Sequence, residues 1–395
     1  MACAGIFIFP FFLFSATAGQ LADRVAKWRL IRWVKIWEIG VMLLAGLGFA
    51  LNSVGLLLGV LFLMGTQSAF FGPAKYAILP ELLDDDSLVG GNALVASATF
   101  LAILIGTIVG GLVVAGGEVW VSRLGFMVVA VAGAGFLASL FIIKTPPANP
   151  DLHIDLNPVR PTVQILRVTR SVREVFLSVL AISWFWFLGA SFLSLLPNFT
   201  KDVLGGGETV VTLCLGTFCV GIGAGSMLCE RLSRHRLELG LVPLGTIGIS
   251  VFAADLAFSG WRYSRPADGE LQSVAQFLGS PGGPHLLIDL LLIAVFSGFY
   301  TVPLMTFIQR QSAGAVRSRV IAGNNILNSL LIVVSSLALV GLLAAGVSIP
   351  AIFAILAALN LGAASCIYAA MPEFVHRFKV WCGETVRLLL RRPSG

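Results

Sequence analysis

The chain alternates long hydrophobic segments with short polar ones. A helix needs about 20 mostly apolar residues to cross the roughly 30 Å hydrocarbon core of a bilayer. Runs of this kind predict about eleven membrane-spanning helices, near 2–18, 30–51, 54–71, 94–115, 124–143, 175–196, 210–229, 237–258, 286–308, 326–345 and 349–371. The pattern therefore predicts an all-α, polytopic membrane protein.

Composition excludes the main soluble alternatives. Of the 395 residues, 57% are hydrophobic and only 12% are charged, whereas soluble domains carry about 25% charged residues. A soluble enzyme, a disordered protein and a secreted disulfide scaffold are therefore excluded. The six cysteines lack the C-x-x-C spacing of metal sites, and the sequence has no nucleotide-binding glycine loop. We expect no metal and no cofactor.

The basic residues indicate which loops face the cytoplasm. Of the 26 Lys and Arg residues, 21 lie in the tail and in five predicted loops, namely 19–33, 72–93, 144–174, 230–236 and 309–325. The positive-inside rule places this side in the cytoplasm, together with the C-terminus. The net charge of +6 then needs no nucleic-acid partner to explain it.

Two short charged loops repeat the same pattern. An offset of 207 residues aligns Asp23 with Glu230, Arg24 with Arg231, Lys27 with Arg234, and Arg29 with Arg236. A second match, at offset 232, aligns Gly91-Asn92 with Gly323-Asn324. Such matches are typical of transporters built from internal repeats.

The repeat predicts two halves of six helices each. We expect an N-terminal half at 1–143, a cytoplasmic linker at 144–174, a six-helix C-terminal half at 175–371 and a basic cytoplasmic tail at 372–395. The first half shows only five spans, so the first helix of the plan is expected to be missing. Either the start codon has been placed too late or the chain is truncated.

The first charged loop resembles a superfamily signature. Residues 19–29, GQLADRVAKWR, resemble the loop 2–3 motif G-x-x-x-D-R/K-x-G-R/K-R/K of the major facilitator superfamily, with departures at Ala26 and Trp28. The resemblance implies a cytoplasmic gate in which Gly19 permits close helix approach and Asp23 reaches a helix N-terminus or a base. The residues assigned to this gate are Gly19, Asp23, Arg24, Lys27, Arg29, Glu230, Arg231, Arg234 and Arg236. A simple topogenic basic loop is the alternative.

A second resemblance concerns the substrate. Residues 71–82 (FGPAKYAILPEL) with 91–94 (GNAL) resemble loop 4–5 of bacterial lysophospholipid transporters, and 298–304 with Gln309 resembles their tenth span. Residues 371–378 resemble the junction in the form fused to an acyltransferase and an acyl-ACP synthetase. The resemblance implies movement of lysophospholipid, such as lyso-phosphatidylethanolamine, across the bacterial inner membrane for reacylation. Its implied partners are the lipid bilayer, a lysophospholipid or other amphipathic small molecule, and an acyltransferase/acyl-ACP synthetase.

Four residues form the predicted substrate-binding set. Lys35 and Glu38 lie three residues apart inside a span, where ionisable groups are costly, so they can form an ion pair. Glu38 is a candidate for substrate or proton binding, and a purely structural pair is the alternative. Lys75 offers a charge for a phosphate or snorkels to the interface. Asn92 belongs to the family-like segment 91–94.

Two other functions stay open at this point. One is a small-solute or multidrug exporter of the same superfamily, and the other is a transport-inactive membrane anchor for an acyltransferase. An enzyme is not expected, because an acyltransferase needs four residues between its His and Asp, whereas His285 and Asp289 have three between them. We expect Asp255 and Asp289 to be interfacial carboxylates.

Overall fold

The computed structural model describes residues 2–115, 118–157, 159–264 and 270–390. The helices are α1 (Ala2–Arg24), α2 (Lys27–Ala50), α3 (Val54–Ala77), α4 (Leu79–Leu82), α5 (Leu88–Ala115), α6 (Glu118–Ser139), α7 (Val159–Arg170), α8 (Arg173–Asn198), α9 (Glu208–Leu232), α10 (Leu241–Arg262), α11 (Val274–Gly279), α12 (Gly283–Gln311), α13 (Arg317–Ala344), α14 (Ile349–Ala370) and α15 (Glu373–Leu390). A π-helical turn, Phe199–Val203, follows α8, and a 3-10 turn, Gly314–Val316, precedes α13.

The predicted all-α membrane architecture is confirmed. Within the described ranges, ten helices are long and apolar enough to cross a membrane, and Arg123–Ser139 of α6 is a shorter apolar helix. The eleven predicted hydrophobic segments therefore all correspond to helices.

Polar side chains mark several helix starts. Ser53 Oγ accepts a hydrogen bond from Leu56 N at the start of α3, at 3.4 Å. Asn157 Oδ1 accepts from the backbone N–H groups of Val159 and Arg160 at the start of α7. Such caps satisfy N–H groups that have no partner inside the helix.

The chain forms two compact units that do not follow the two sequence halves. The first unit consists of residues 1–84, 108–183 and 308–333, and the second of residues 85–107, 184–307 and 334–395. Each unit thus combines segments from both halves of the repeat. The first unit holds α1 and α2 together with the start of α13, and the second holds α9 and α10 together with the start of α5.

Each unit has its own apolar core around one of the repeated loops. In the first unit the apolar cluster beside the loop consists of Ala22, Leu30, Ile31, Val34, Ala74 and Ile78. In the second unit it consists of Val89, Ala93, Cys229, Leu241, Phe299 and Val302. Because the last residues of α1 and of α9 are embedded in these cores, the loop that follows each helix starts from a fixed position.

The predicted linker contains a helix of its own. Helix α7 lies within 144–174 and buries Pro161, Ile165 and Thr169. Its packing partner is the start of α13, since a Cβ at Gly323 would lie 2.7 Å from Thr169 Oγ1. The three buried positions 161, 165 and 169 are spaced four residues apart and so share one helical face. The predicted tail likewise contains α15.

Candidate functional site

Asp23 lies at the centre of a contact between α1 and α13. Its side chain is fully buried. Oδ1 accepts a hydrogen bond from the backbone N–H of Ser318 at 3.0 Å, and Oδ2 is 2.9 Å from Arg319 Nε. Ser318 is in the first turn of α13, where N–H groups are unpaired and the helix dipole favours an anion. Asp23 therefore meets both kinds of partner predicted for it, a helix N-terminus and a base.

Gly19 lets the same two helices approach closely. A Cβ at this position would lie 2.7 Å from Ala322 Cβ and 3.1 Å from Arg319 Cα. Both distances are below normal van der Waals separation, so a larger residue would push α1 away from α13. Because Gly19 lies one helical turn before Asp23, the close approach of the two helices keeps the Asp23 carboxylate within reach of Arg319.

The linker also contacts this end of α1. The backbone N–H of Asn149 donates to Asp23 O at 2.8 Å, and the backbone N–H of Asp155 donates to Gln20 Oε1 at 2.9 Å. Gln20 Nε2 in turn donates to Asp155 O at 3.3 Å. A cavity of about 270 Å³ beside this contact is lined by Gln20, Asp155 and Arg319 among others. The linker therefore covers the α1–α13 contact.

Lys27 forms the second buried ion pair of the first loop. Its side chain is 1% exposed, and its Nζ is 2.5 Å from Glu81 Oε1. Glu81 belongs to the short helix α4, directly after the family-like segment at the end of α3. The pair thus connects the start of α2 to α4.

The other bases of the first loop are at the surface. Arg24 and Arg29 are both exposed. The guanidinium of Arg29 lies 5.0 Å from the centre of the Trp28 ring, which also has Arg32 at 4.7 Å and Lys144 at 5.7 Å. Trp28, which replaces a base of the motif, therefore has three cations around it.

The second charged loop has a different structure. The carboxylate of Glu230 contacts the first turn of α5. A Cβ at Gly90 in this turn would overlap Glu230 Oε1. Its ionic partner is the exposed His235, with Nδ1 3.2 Å from Oε1. Arg231, Arg234 and Arg236 are all exposed, and within the described ranges none of them has a carboxylate within 4.0 Å. The two loops thus share an acid at a helix N-terminus but not the buried ion pairs.

Lys35 and Glu38 form the expected ion pair on α2. Lys35 Nζ is 2.8 Å from Glu38 Oε2, and the side chains are 19% and 15% exposed. Gln67 on α3 is buried and donates from Nε2 to the same carboxylate oxygen at 2.7 Å. Glu38 therefore accepts from a cation and from an amide, and it connects two helices.

Lys75 lies beside the same aromatic ring as Lys35. The Phe71 ring centre is 4.9 Å from Lys35 Nζ and 5.8 Å from Lys75 Nζ, and Tyr76 is 4.6 Å from Lys75 Nζ. Within the described ranges Lys75 has aromatic neighbours and no carboxylate within 4.0 Å. The polar cluster of Lys35, Glu38, Gln67, Phe71 and Lys75, called here the α2–α3 cluster, carries two cations and one anion.

Asn92 belongs to the second unit. It is buried in the second unit, and its Nδ2 donates to Leu88 O and to Thr306 Oγ1, both at 3.1 Å. The bond to Thr306 connects α5 to α12. The structure therefore brings together three members of the predicted substrate-binding set, Lys35, Glu38 and Lys75, and gives Asn92 a helix-packing contact.

Sequence reasoning missed the partners more often than the motif residues. Ser318 and Arg319 were not predicted, although Arg319 lies in a loop counted as basic. Gln67 belongs to no motif, and its only signal is an amide within a hydrophobic run. Phe71 opens the family-like segment 71–82 but was not assigned to the site. Partners from distant segments leave no periodic trace in a single sequence.

Comparisons with known proteins agree on the family. The chain matches the MFS_3 family, described as a transmembrane secretion effector, over residues 4–265. It is 30% identical to the lysophospholipid transporter LplT of Klebsiella pneumoniae over 364 residues, covering 89% of this chain and 83% of that protein. It is also 30% identical to LplT of Cronobacter sakazakii over 318 residues, covering 79% of this chain and 71% of that protein.

Solved structures support the fold. The human organic anion transporter MFSD10 superposes with a TM-score of 0.71 at 14% identity, covering 91% of this chain and 82% of that one. The fucose:proton symporter FucP of Escherichia coli superposes with a TM-score of 0.68 at 15% identity, covering 93% and 90%. At such low identity, the likeness concerns the fold alone.

Proposed function

Because the chain belongs to the major facilitator superfamily and, within it, to the lysophospholipid transporter family, we propose that it moves lysophospholipid by alternating access. The chain is a multi-pass membrane transporter homologous to LplT. Its membrane is the bacterial inner membrane, with the charged loops and the C-terminus in the cytoplasm, as the basic residues indicate. Reacylation of the lipid by an acyltransferase/acyl-ACP synthetase would follow transport.

The α2–α3 cluster supports this substrate more than any other feature. A zwitterionic lysolipid presents a phosphate and an ammonium. Lys75, which has no carboxylate partner in the described part of the chain, suits the phosphate, and Glu38 suits the ammonium. On binding, the charged groups of the lipid would replace the Lys35–Glu38 contact. Neither protein charge would then be left unpaired in an apolar medium, where an unpaired charge is costly.

The aromatic ring at the centre of the cluster fits the same ligand. Phe71 already lies within 6 Å of two ammonium groups, Lys35 Nζ and Lys75 Nζ. An ammonium headgroup can replace either one, since ring faces attract cations in general. The exposed fractions of Lys35 and Glu38, 19% and 15%, leave room for access.

The contact of α1 with α13 supports a gate at the cytoplasmic end. Gly19, Asp23 and Arg319 join a helix of the N-terminal half to one of the C-terminal half. Alternating access requires such contacts to form and break. Asp23 would stabilise the state in which this end is closed, with Lys27 and Glu81 fixing the position of the loop.

Uptake of labelled lysolipids tests the proposal. We expect the chain to import lyso-phosphatidylethanolamine into cells that lack their own lysophospholipid transporter. Glu38→Gln should lower this uptake by about tenfold or more, since a hydrogen bond to a charged group is worth about 1.5–3 kcal/mol. Uptake of lyso-phosphatidylglycerol should fall less, because that lipid has no ammonium. Lys75→Gln should lower uptake of both, because both carry a phosphate.

A matched control comes from an exposed ion pair. Glu208→Gln removes the carboxylate of the Lys201–Glu208 pair, whose side chains are 40% and 78% exposed, and should leave uptake unchanged at equal protein level. An equal loss of both lipids in Glu38→Gln would show that the Lys35–Glu38 pair is structural. Drug efflux without any lysolipid uptake would favour an exporter instead.

A further inference from the structure

Three side chains with metal-binding groups converge between α10 and α12 in the second unit. His285 Nε2 lies 3.1 Å from Asp255 Oδ2 and 3.7 Å from Asp289 Oδ2. One ligand atom from each residue lies within 4.8 Å of the other two. His285 and Asp289 are four residues apart and so share one face of α12, whereas Asp255 comes from α10.

Asp289 is buried, and one of its carboxylate oxygens makes no hydrogen bond within the described part of the chain. Its side chain is 1% exposed, and its Oδ2 has no hydrogen-bond partner among the residues that the structure describes. This oxygen points at the cluster, since it is the atom nearest to His285 Nε2. An unsatisfied, buried carboxylate oxygen is costly, so the site favours an additional positive ligand. Asp255 and His285 are 40% and 54% exposed, which gives that ligand a way in.

A divalent cation matches the charge of the cluster. Two carboxylates carry two negative charges, and a protonated His285 neutralises only one of them. A divalent cation neutralises both and leaves the imidazole neutral, which is the form that binds metals. One imidazole nitrogen with two carboxylate oxygens is a donor set typical of zinc and neighbouring first-row ions.

The distances also fit such an ion. Tetrahedral zinc with bonds of about 2.0–2.1 Å holds its ligand atoms roughly 3.3–3.4 Å apart. The two distances from His285 Nε2, 3.1 and 3.7 Å, lie on either side of this value. The two carboxylate oxygens lie within 4.8 Å of each other, so side-chain rotations that bring them together would complete three bonds.

We propose that Asp255, His285 and Asp289 bind a divalent transition-metal ion of the zinc type, with one coordination position left to water. The site is independent of the α2–α3 cluster and of the lysolipid proposal, because it uses other residues and helices. Its structural effect is to join α10 to α12 beside the short helix α11.

Cobalt binding is a direct test, because Co²⁺ occupies zinc-type sites and reports its ligands by absorption. We expect the purified, metal-stripped protein to bind one Co²⁺ with visible d–d bands and without thiolate charge-transfer bands. Loss of even outer-shell partners costs about 10- to 100-fold in metal affinity. Asp289→Asn and His285→Ala, which remove ligands, should therefore weaken binding by at least that factor.

A single-carboxylate site is the matched control. His235 has one carboxylate partner, Glu230, at 3.2 Å, so His235→Ala should leave Co²⁺ binding unchanged. Asp255→Asn is a further ligand variant in case Asp289→Asn does not give monodisperse protein. The proposal is overturned if wild type binds no Co²⁺, if thiolate bands appear, or if the folded ligand variants bind as tightly as wild type.

Discussion

The loops at 23–29 and 230–236 have the same sequence pattern but different surroundings. In the first, Asp23 is fully buried and meets Ser318 N and Arg319, and Lys27 is buried against Glu81. In the second, Glu230 is 21% exposed and has His235 as its ionic partner, and the three arginines are at the surface. A repeated motif therefore places charges but does not decide whether they are desolvated.

The difference follows from the helix that each acid faces. Asp23 faces the start of α13, which carries Arg317 and Arg319, whereas Glu230 faces the start of α5. At offset 232, Arg319 aligns with Ser87, and the residues just before it align with Asp85 and Asp86. The second loop therefore lacks the arginine that would pair with its acid. Of the two loops, only the first has a buried acid that pairs with an arginine of another helix.

The largest effect is expected from the acid of the first loop. Asp23→Asn keeps the shape of the side chain but leaves Arg319 without its carboxylate. Breaking a buried pair in this way costs about 3 kcal/mol, or roughly a hundredfold in the ratio of closed to open states. Lysolipid uptake should fall accordingly at equal protein level in the membrane.

Glu230→Gln is the comparison for that prediction. Its exposed ion pair is worth about 1 kcal/mol or less, so uptake should change by less than about fivefold. Equal losses in the two variants would mean that the repeated acids have equivalent roles. Wild-type uptake by Asp23→Asn would remove the gate assignment.

A smaller effect is expected from the base of the first loop. Lys27→Met leaves Glu81 without its cation, but Glu81 is 18% exposed and can be hydrated, so we expect a loss of about 2 kcal/mol in stability. Arg234→Met, at the aligned and exposed position, should change stability by no more than about 0.5 kcal/mol. Thermal unfolding in detergent measures both.

The double variant Lys27→Met/Glu81→Leu sharpens this prediction. Replacing both members of a buried pair by apolar residues is often neutral, whereas removing one is not. Most of the stability lost in Lys27→Met should therefore return. If the double variant is less stable than Lys27→Met, the pair contributes through its own attraction and not through the cost of an unpaired charge.

The sequence predicted elements and motifs well and their partners poorly. Hydrophobic runs and the positive-inside pattern are local, so the helices and the α2 ion pair followed from them. The meeting of Asp23 with Arg319 joins residues 296 positions apart, and no local rule pairs them. The Asp255–His285–Asp289 cluster also joins distant segments, since only the spacing of His285 and Asp289 is visible within one helix.

The smallest effect concerns the backbone of the two loops, and we expect it in the second loop. Arg234 and His235 adopt left-handed conformations, with φ of 55° and 62°, whereas Ala26 has an ordinary φ of −55°. A non-glycine residue in a left-handed backbone conformation costs about 1–2 kcal/mol. Glycine removes this cost, but its larger unfolded-state entropy offsets about 0.5–1 kcal/mol of the gain. Arg234→Gly should therefore raise the free energy of unfolding by roughly 0.5 kcal/mol, and Tm by about 1–2 °C. Ala26→Gly gains no such relief, and because Ala26 is the N-cap of α2, where glycine is tolerated at least as well as alanine, it should change the free energy of unfolding by less than about 0.5 kcal/mol in either direction. A fall in the free energy of unfolding of Arg234→Gly would show that the left-handed turn at 234–235 carries no strain, and that the two loops differ only in their ion pairs.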